Sequence, residues 1–292
     1  MKLRTKFNLV IFTVFVAGAA VLAWLSHSLL IRNAEVQIQR EAGQLMESAL
    51  AVRAYTNQQV RPLLLPQMDQ VFHAPAVAAF SAIETFRRLH EKLPYYSYNE
   101  PTLNPTNPRD KADTWQSEVI GRFRADPNLK EISGTRVISG KEVLYIARPI
   151  TIKDPACLTC HSTPAAAPAS MLKVYGDQGG FGWQLNETVG MQLVTVPTEV
   201  PKQLAYAALK TFLGGLGAVM LVLFIVLNLM LSRLVIRPVL SMANAADRIS
   251  RGEMDGEPFS RPGKDEISLL AQSFDRMHNS LEIAMKSMRQ RS

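Results

Sequence analysis

The sequence predicts an α+β protein in which two transmembrane helices flank an external domain of helices packed on an antiparallel sheet, with a helical coiled coil behind. Three observations predict it. Residues 7–31 contain no Asp, Glu, Lys or Arg over 25 positions, and residues 211–232 repeat this over 22. Between these runs, helical periodicity gives way to β-prone stretches punctuated by glycine. Beyond them, apolar residues recur at alternating spacings of three and four, the pattern of a coiled-coil seam.

At 1.5 Å per residue the uncharged runs reach roughly 38 and 33 Å, enough for a hydrocarbon core of about 30 Å. The first run follows Lys2, Arg4 and Lys6 and contains Ala17-Gly18-Ala19-Ala20, features shared with cleaved signal peptides. A signal core usually holds about 7–15 residues. Here the apolar stretch continues through Val21, Leu22, Trp24 and Leu29, so an uncleaved anchor is expected. Basic residues near membrane ends are retained in the cytoplasm. Three precede the first run and Arg233 and Arg237 follow the second, which predicts both termini on the cytoplasmic side of a bacterial inner membrane. The expected division is a cytoplasmic N-terminus at 1–6, membrane helices at 7–31 and 211–232, a periplasmic domain at 32–210, a cytoplasmic helical segment at 233–288 and a tail at 289–292.

The net charge of +7 is spread over these parts: +3 before the first helix, 19 basic minus 17 acidic in the external segment, and 10 minus 8 after the second helix. No part carries the basic stripe that nucleic-acid binding requires. The charge is mainly a topology signal.

In the external segment, Val36, Ile38, Ala42, Leu45, Ala49 and Val52 follow helical spacing, so the first membrane helix is expected to continue outward to about Arg61, before Pro62. Further helices are expected at 77–93 and 111–123, with a proline- and asparagine-rich loop at 94–108 between them. Residues 136–138 and 142–150 read as a hairpin turning at Ser139, Gly140 and Lys141. A last strand is expected at 189–196. Between the strands, residues 154–182 are rich in Pro, Ala and Gly and hold both cysteines of the chain.

Those cysteines stand in Cys157-Leu158-Thr159-Cys160-His161, the C-x-x-C-H attachment sequence of c-type haem. Each thiol adds across one haem vinyl group to form a thioether, and the following histidine reaches the iron. A redox dithiol has no need of the histidine. A disulfide across two residues would close a very short loop and constrain little. Zinc would need four ligands, with no further cysteine to supply them. Covalent haem c is the cofactor expected, with His161 as a metal ligand.

The chain resembles the haem-c PAS-like sensor domains first catalogued as a domain of unknown function. The resemblance rests on Ala51-Val52-Arg53-Ala54-Tyr55, the run from Thr102 to Asp113, Tyr145-Ile146-Ala147-Arg148-Pro149, the C-x-x-C-H and Gly180-Phe181-Gly182-Trp183. It implies a PAS-like sheet with haem c and, in some members, a cysteine as second axial ligand. This chain has no third cysteine. His73, near the place of that cysteine, is the candidate for the sixth position, with His90, Met68, Met171 and Met191 as alternatives and an open site for a small gas as the rival. Arg109 and Arg148 are candidates to face haem propionates, ordinary ion pairs being the alternative.

After the second membrane run, Pro238 opens an amphipathic stretch through Val239, Met242, Ala245, Ala246 and Ile249 that ends at Gly252. A connector with Pro258, Pro262 and Gly263 leads to Asp265-Glu266 and the seam Ile267, Leu270, Phe274, Met277, Leu281, Ala284 and Met288. This resembles a HAMP domain, with Ser268 at the family's usual glycine. The resemblance implies a parallel four-helix bundle and hence a homodimer.

The expectation is therefore a membrane receptor that senses redox state or a small ligand at its haem and relays it through HAMP to a signalling protein in trans, since the seam ends near Ser292, truncation relative to a longer receptor being the alternative. The rival is a membrane-tethered electron carrier, which needs neither a second membrane helix nor HAMP. No nucleophile and base constellation or phosphate loop supports an enzyme.

Overall fold

The computed structural model describes residues 3–253 and 263–289. Lys2, the connector prolines Pro258 and Pro262, and residues 290–292 lie outside them. The chain divides into two compact units, His27–Ala208 on one hand and Met1–Ser26 with Leu209–Ser292 on the other.

Helix α1 spans Leu3–Tyr55. Its apolar early turns expose Leu9, Val14 and Trp24. An apolar helix that no protein covers calls for a non-aqueous surrounding. From Ala34 the same helix changes character: Ala34, Ile38, Ala42, Met46 and Ala49 are buried on one face. The helix was expected to stop near Pro62. It instead loosens into a π turn at Thr56–Val60 and re-forms as α2, Arg61–Leu64, with Pro62 in its first turn. A proline ring collides with the carbonyl four residues back in a regular helix, and the wider π turn relieves that collision.

Helix α3, Ala78–Lys92, falls where periodicity placed it. The loop expected at 94–108 contains a short strand, β1 (Ser97–Asn99). Helix α4 spans Thr114–Ala125 and starts three residues later than expected. The Asp113 side chain accepts from Gln116 N at 2.9 Å, and the Gln116 side chain accepts from Asp113 N at 3.0 Å. This capping box fixes the first turn.

Strands β2 (Ile132–Ile138) and β3 (Lys141–Thr151) form the hairpin, with Ser139 and Gly140 at φ 51° and 78°. Two positive φ values in a two-residue turn match the right-handed twist of the strands. After two short helices, α5 (Leu158–His161) and α6 (Ala169–Tyr175), strand β4 runs over Thr188–Pro197. The sheet order is β1-β4-β3-β2, and every pairing is antiparallel.

Alternation along the strands feeds two cores. Leu144, Ile146, Val194 and Val196 pack with Tyr98 against Ile38, Ala42 and Met46 of α1 and Ile83 and Phe86 of α3. Ala147, Met191 and Leu193 pack with Ile132 against Val119, Ile120 and Phe123 of α4. Coverage on both faces explains why β4 is buried along almost its whole length. Each large side chain fully buried there contributes roughly 1.5–3 kcal/mol.

Helix α7 (Glu199–Leu231) starts in the first unit and carries the second uncharged run in the other, where α8 (Arg237–Ser250) follows after another π turn. Gly252, at φ 85°, ends α8 in the left-handed conformation that glycine favours. Helix α9 spans Glu266–Arg289. The Asp265 carboxylate accepts from Ser268 N at 2.7 Å, which caps α9, and Ser268 is buried.

Candidate functional site

The C-x-x-C-H motif is a turn and a helix in one. The Asp154 carboxylate accepts from Ala156 N at 2.8 Å and starts a 3₁₀ turn, Pro155–Cys157, that runs into α5. Three residues of helical advance bring Cys157 and Cys160 to the same side. Both are free and half-buried. Burial pushes both thiols up; the Asp154 charge adds to this at Cys157, and the Arg61 guanidinium opposes it at both. A reactive redox dithiol needs the opposite, a lowered thiol.

His161 Nδ1 stands 2.7 Å from the carbonyl oxygen of Gly180. A carbonyl can only accept, so Nδ1 carries the proton and Nε2 keeps the lone pair. Burial lowers the basicity of the imidazole, partly opposed by the Gly180 carbonyl, which favours the neutral ring that metal binding requires.

The position of that carbonyl is itself determined. The Asn104 side chain accepts from Gly180 N at 3.2 Å and donates to the Phe181 carbonyl at 3.0 Å. Gly180 has φ +82°, and a Cβ there would lie 2.0 Å from Thr106 Oγ1 and 2.8 Å from Thr106 Cα, so only glycine fits. On the next residues, Gly182 N donates to the Ser162 carbonyl at 2.9 Å and Trp183 N to the His161 carbonyl at 3.2 Å. The Trp183 ring stacks on the His161 ring, with centroids 4.0 Å apart and an 11° interplanar angle.

His73 precedes a 3₁₀ turn, Ala74–Ala76, in extended conformation. Its backbone N–H points at the Met68 sulfur, 3.4 Å away. Its Nε2 is buried and has no hydrogen-bond partner among the described residues. The segment is tied to α6, eight residues past the motif: the Ser170 hydroxyl donates to the Met68 carbonyl, and Phe72 packs on Tyr175.

Two of the alternatives for the sixth position, Met191 and His90, are engaged elsewhere. Met191 is fully buried in the core under α4. His90 lies in the last turn of α3 with Nδ1 3.1 Å from the Tyr96 carbonyl. Met68 faces the His73 amide, and Met171 is buried on α6.

Arg109 and Arg148 both stand against protein carboxylates. Arg109 pairs with Glu84 at 2.5 Å and Asp110 at 3.4 Å, and Arg148 with Glu47 at 2.7 Å and Glu131 at 2.9 Å.

Three features escaped the sequence reading. Arg61 is a cation acting on both thiols. Asn104 and Trp183 lie inside the motifs that carried the resemblance, yet nothing in their spacing announces contact with His161. A buried network joins Arg53 of α1 to Glu100, whose other oxygen accepts from the Tyr98 hydroxyl at 2.7 Å. An arginine at helical spacing among apolar neighbours is the only signal of it in the sequence.

Residues 31–197 match the Tll0287-like family, described as Tll0287, and residues 230–283 match the HAMP domain. No curated protein matches the chain. Among solved structures, the chain is similar to that titled "Crystal structure of the cyanobacterial heme-protein Tll0287", at 18% identity over 52% of this chain and 94% of that one, with a TM-score of 0.38. The α+β domain between two helices long and apolar enough to cross a membrane, followed by HAMP, defines the class as a membrane signal transducer. The chain belongs to the Tll0287-like family.

Proposed function

We propose that the chain is an inner-membrane receptor that holds haem c in its periplasmic domain and reports redox state or a small ligand through a dimeric HAMP domain to a cytoplasmic signalling protein. The observation that carries this reading is the state of His161 beside the paired thiols: Nδ1 is tied to a carbonyl and Nε2 is left as the ligating nitrogen.

The residues present fit the group. Cys157 and Cys160 would each form a carbon–sulfur bond to a vinyl carbon while the thiol proton goes to the neighbouring carbon, a balanced addition that needs no oxidant. His161 would bind the iron from one side. His73, whose buried Nε2 has no partner among the described residues, would be a second ligand to it. A buried polar atom without a partner costs about 1–3 kcal/mol, and a metal bond would remove that cost. The bound group supplies one-electron chemistry and, where a position opens, a site for a small diatomic ligand. The protein's part is to hold the ligand nitrogens, exclude water and couple their positions to α1 and α7.

The test is expression with cytochrome c maturation followed by denaturing electrophoresis. Peroxidase-active haem should remain with the chain, and Cys160→Ser should remove most of it. A wild-type band without haem would overturn the proposal.

A further inference from the structure

We propose that Asn104 and Trp183 are positioning residues for the His161 imidazole, and that between them they set the reduction equilibrium of the iron it binds. This deepens the haem reading above and rests on it.

The imidazole is held by two devices of different kind. One is the carbonyl of Gly180, 2.7 Å from Nδ1. A peptide carbonyl in a loop of glycines can swing, and this one follows Gly179, where a Cβ would lie 2.5 Å from the Pro105 carbonyl, and precedes Gly182 at φ +79°. Asn104 removes that freedom. Its amide acts as a substitute peptide, accepting from the N–H of Gly180 and donating to the carbonyl of Phe181, so the peptide units on either side of the one that carries the Gly180 carbonyl are fixed. Thr106 Oγ1 is 3.5 Å from the same Nδ1, too far to replace the carbonyl as acceptor.

The other device is the Trp183 ring, parallel to the imidazole within 11° at 4.0 Å. The indole Nε1 is buried without a partner among the described residues, so no hydrogen bond of its own fixes the ring. The stack and the backbone bond from Trp183 N to the His161 carbonyl hold it instead. A hydrogen bond to Nδ1–H places electron density on Nε2 and makes it a stronger donor to the oxidised metal, and the stack resists rotation of the ring about its bond to Cβ. The Asn104 contacts thus favour the oxidised state, and their loss should favour the reduced one.

The experiment uses the full-length, haem-loaded protein in detergent. Asn104→Ala should retain covalent haem and shift the reduction equilibrium constant about tenfold toward the reduced form, about 59 mV for one electron. Trp183→Ala should alter the g-values of the oxidised low-spin electron paramagnetic resonance signal, which follow the rotation of the axial imidazole, whereas Trp183→Phe, which keeps a stacking ring, should stay near wild type. If Asn104→Ala fails to accumulate, Asn104→Ser keeps an acceptor for Gly180 N–H, loses the donor to Phe181, and should shift the equilibrium in the same direction. Loaded variants with wild-type potential and wild-type g-values would overturn the inference. Absence of haem from the wild type would overturn the proposed function instead, so the two failures are distinct.

Discussion

Phe72 meets Tyr175 at right angles with ring centroids 5.6 Å apart, which fastens the segment ending in His73 to the helix that follows the cysteine pair. Sequence separates the two rings by 103 positions, and the contact joins the segment of a buried imidazole to the helix that begins eight residues past the motif. An edge-to-face aromatic pair contributes about 0.5–1.5 kcal/mol beyond its area, and the Ser170 to Met68 hydrogen bond adds to it.

His73→Ala should therefore convert the haem from low-spin six-coordinate to high-spin five-coordinate in both oxidation states. Absorption spectroscopy of the purified protein reads this directly. Phe72→Ala should leave a mixture of the two spectra, since it loosens the segment without removing the ligand. A low-spin spectrum unchanged in His73→Ala would pass the role to Met171, which lies on the helix that Phe72 packs against.

The Arg53 and Glu100 pair ties α1 to the chain just past β1, with side-chain exposures of 22% and 4%. Breaking a buried pair leaves one charge unmatched and costs about 3–5 kcal/mol, whereas replacing both partners is often close to neutral. Arg53→Met should lower the melting temperature by roughly 6–20 °C, taking about 2–4 °C per kcal/mol for a domain of this size. The double variant Arg53→Met with Glu100→Leu should recover most of it. Thermal unfolding followed by circular dichroism decides between these outcomes; equal melting temperatures for the wild type and the single variant would mean the pair contributes nothing.

Much of this organisation was legible in the sequence, for reasons that differ element by element. The membrane runs, α3 and β4 are long or strongly patterned, so local periodicity is enough. C-x-x-C-H is legible because its chemistry dictates its spacing. Strand β1 was not, since three residues between prolines have no pattern of their own and form a strand only because β4 offers Thr195, Val194 and Leu193 as partners. The start of α4 shifted because the reciprocal Asp113 and Gln116 bonds outweigh the helix-forming residues before them. Asn104 and Trp183 were invisible as ligand supports because their partner lies 57 and 22 positions away, and only the folded chain brings them to it.

The basic flanks before the first membrane run and after the second predict opposite compartments for the two ends of α7. Fusions of paired reporters at Lys202 and at Ser292 should report periplasm and cytoplasm respectively. Two basic residues, Arg233 and Arg237, carry the orientation at the second membrane end. Replacing both with glutamate should weaken the bias and yield a mixed signal at Ser292. The same compartment for both fusions in the unaltered chain would mean that one of the two helices does not span.

The relay itself is testable along α9. In a single chain, Leu270 and Met277 are 42% and 46% exposed although both belong to the apolar seam, and an apolar groove between α8 and α9 is lined by Ala246, Ile249, Met277, Leu281 and Met285. Apolar surface of this extent in water favours a covering partner, and the heptad spacing fits the same helix from a second copy. Packed helices of this kind hold two arrangements that differ by little free energy, so a change at the haem need only stabilise one of them by a modest amount to shift the population. Cysteines introduced at Leu270 and Met277 should form disulfides between subunits, the native cysteines being occupied as thioethers if the proposed haem attachment holds. Their cross-linking rates should change when the haem is reduced or takes up a diatomic ligand, and in opposite directions at the two positions if the helices rotate rather than separate. Identical rates in every haem state, in a protein that still exchanges electrons, would replace the receptor by a membrane-tethered electron carrier.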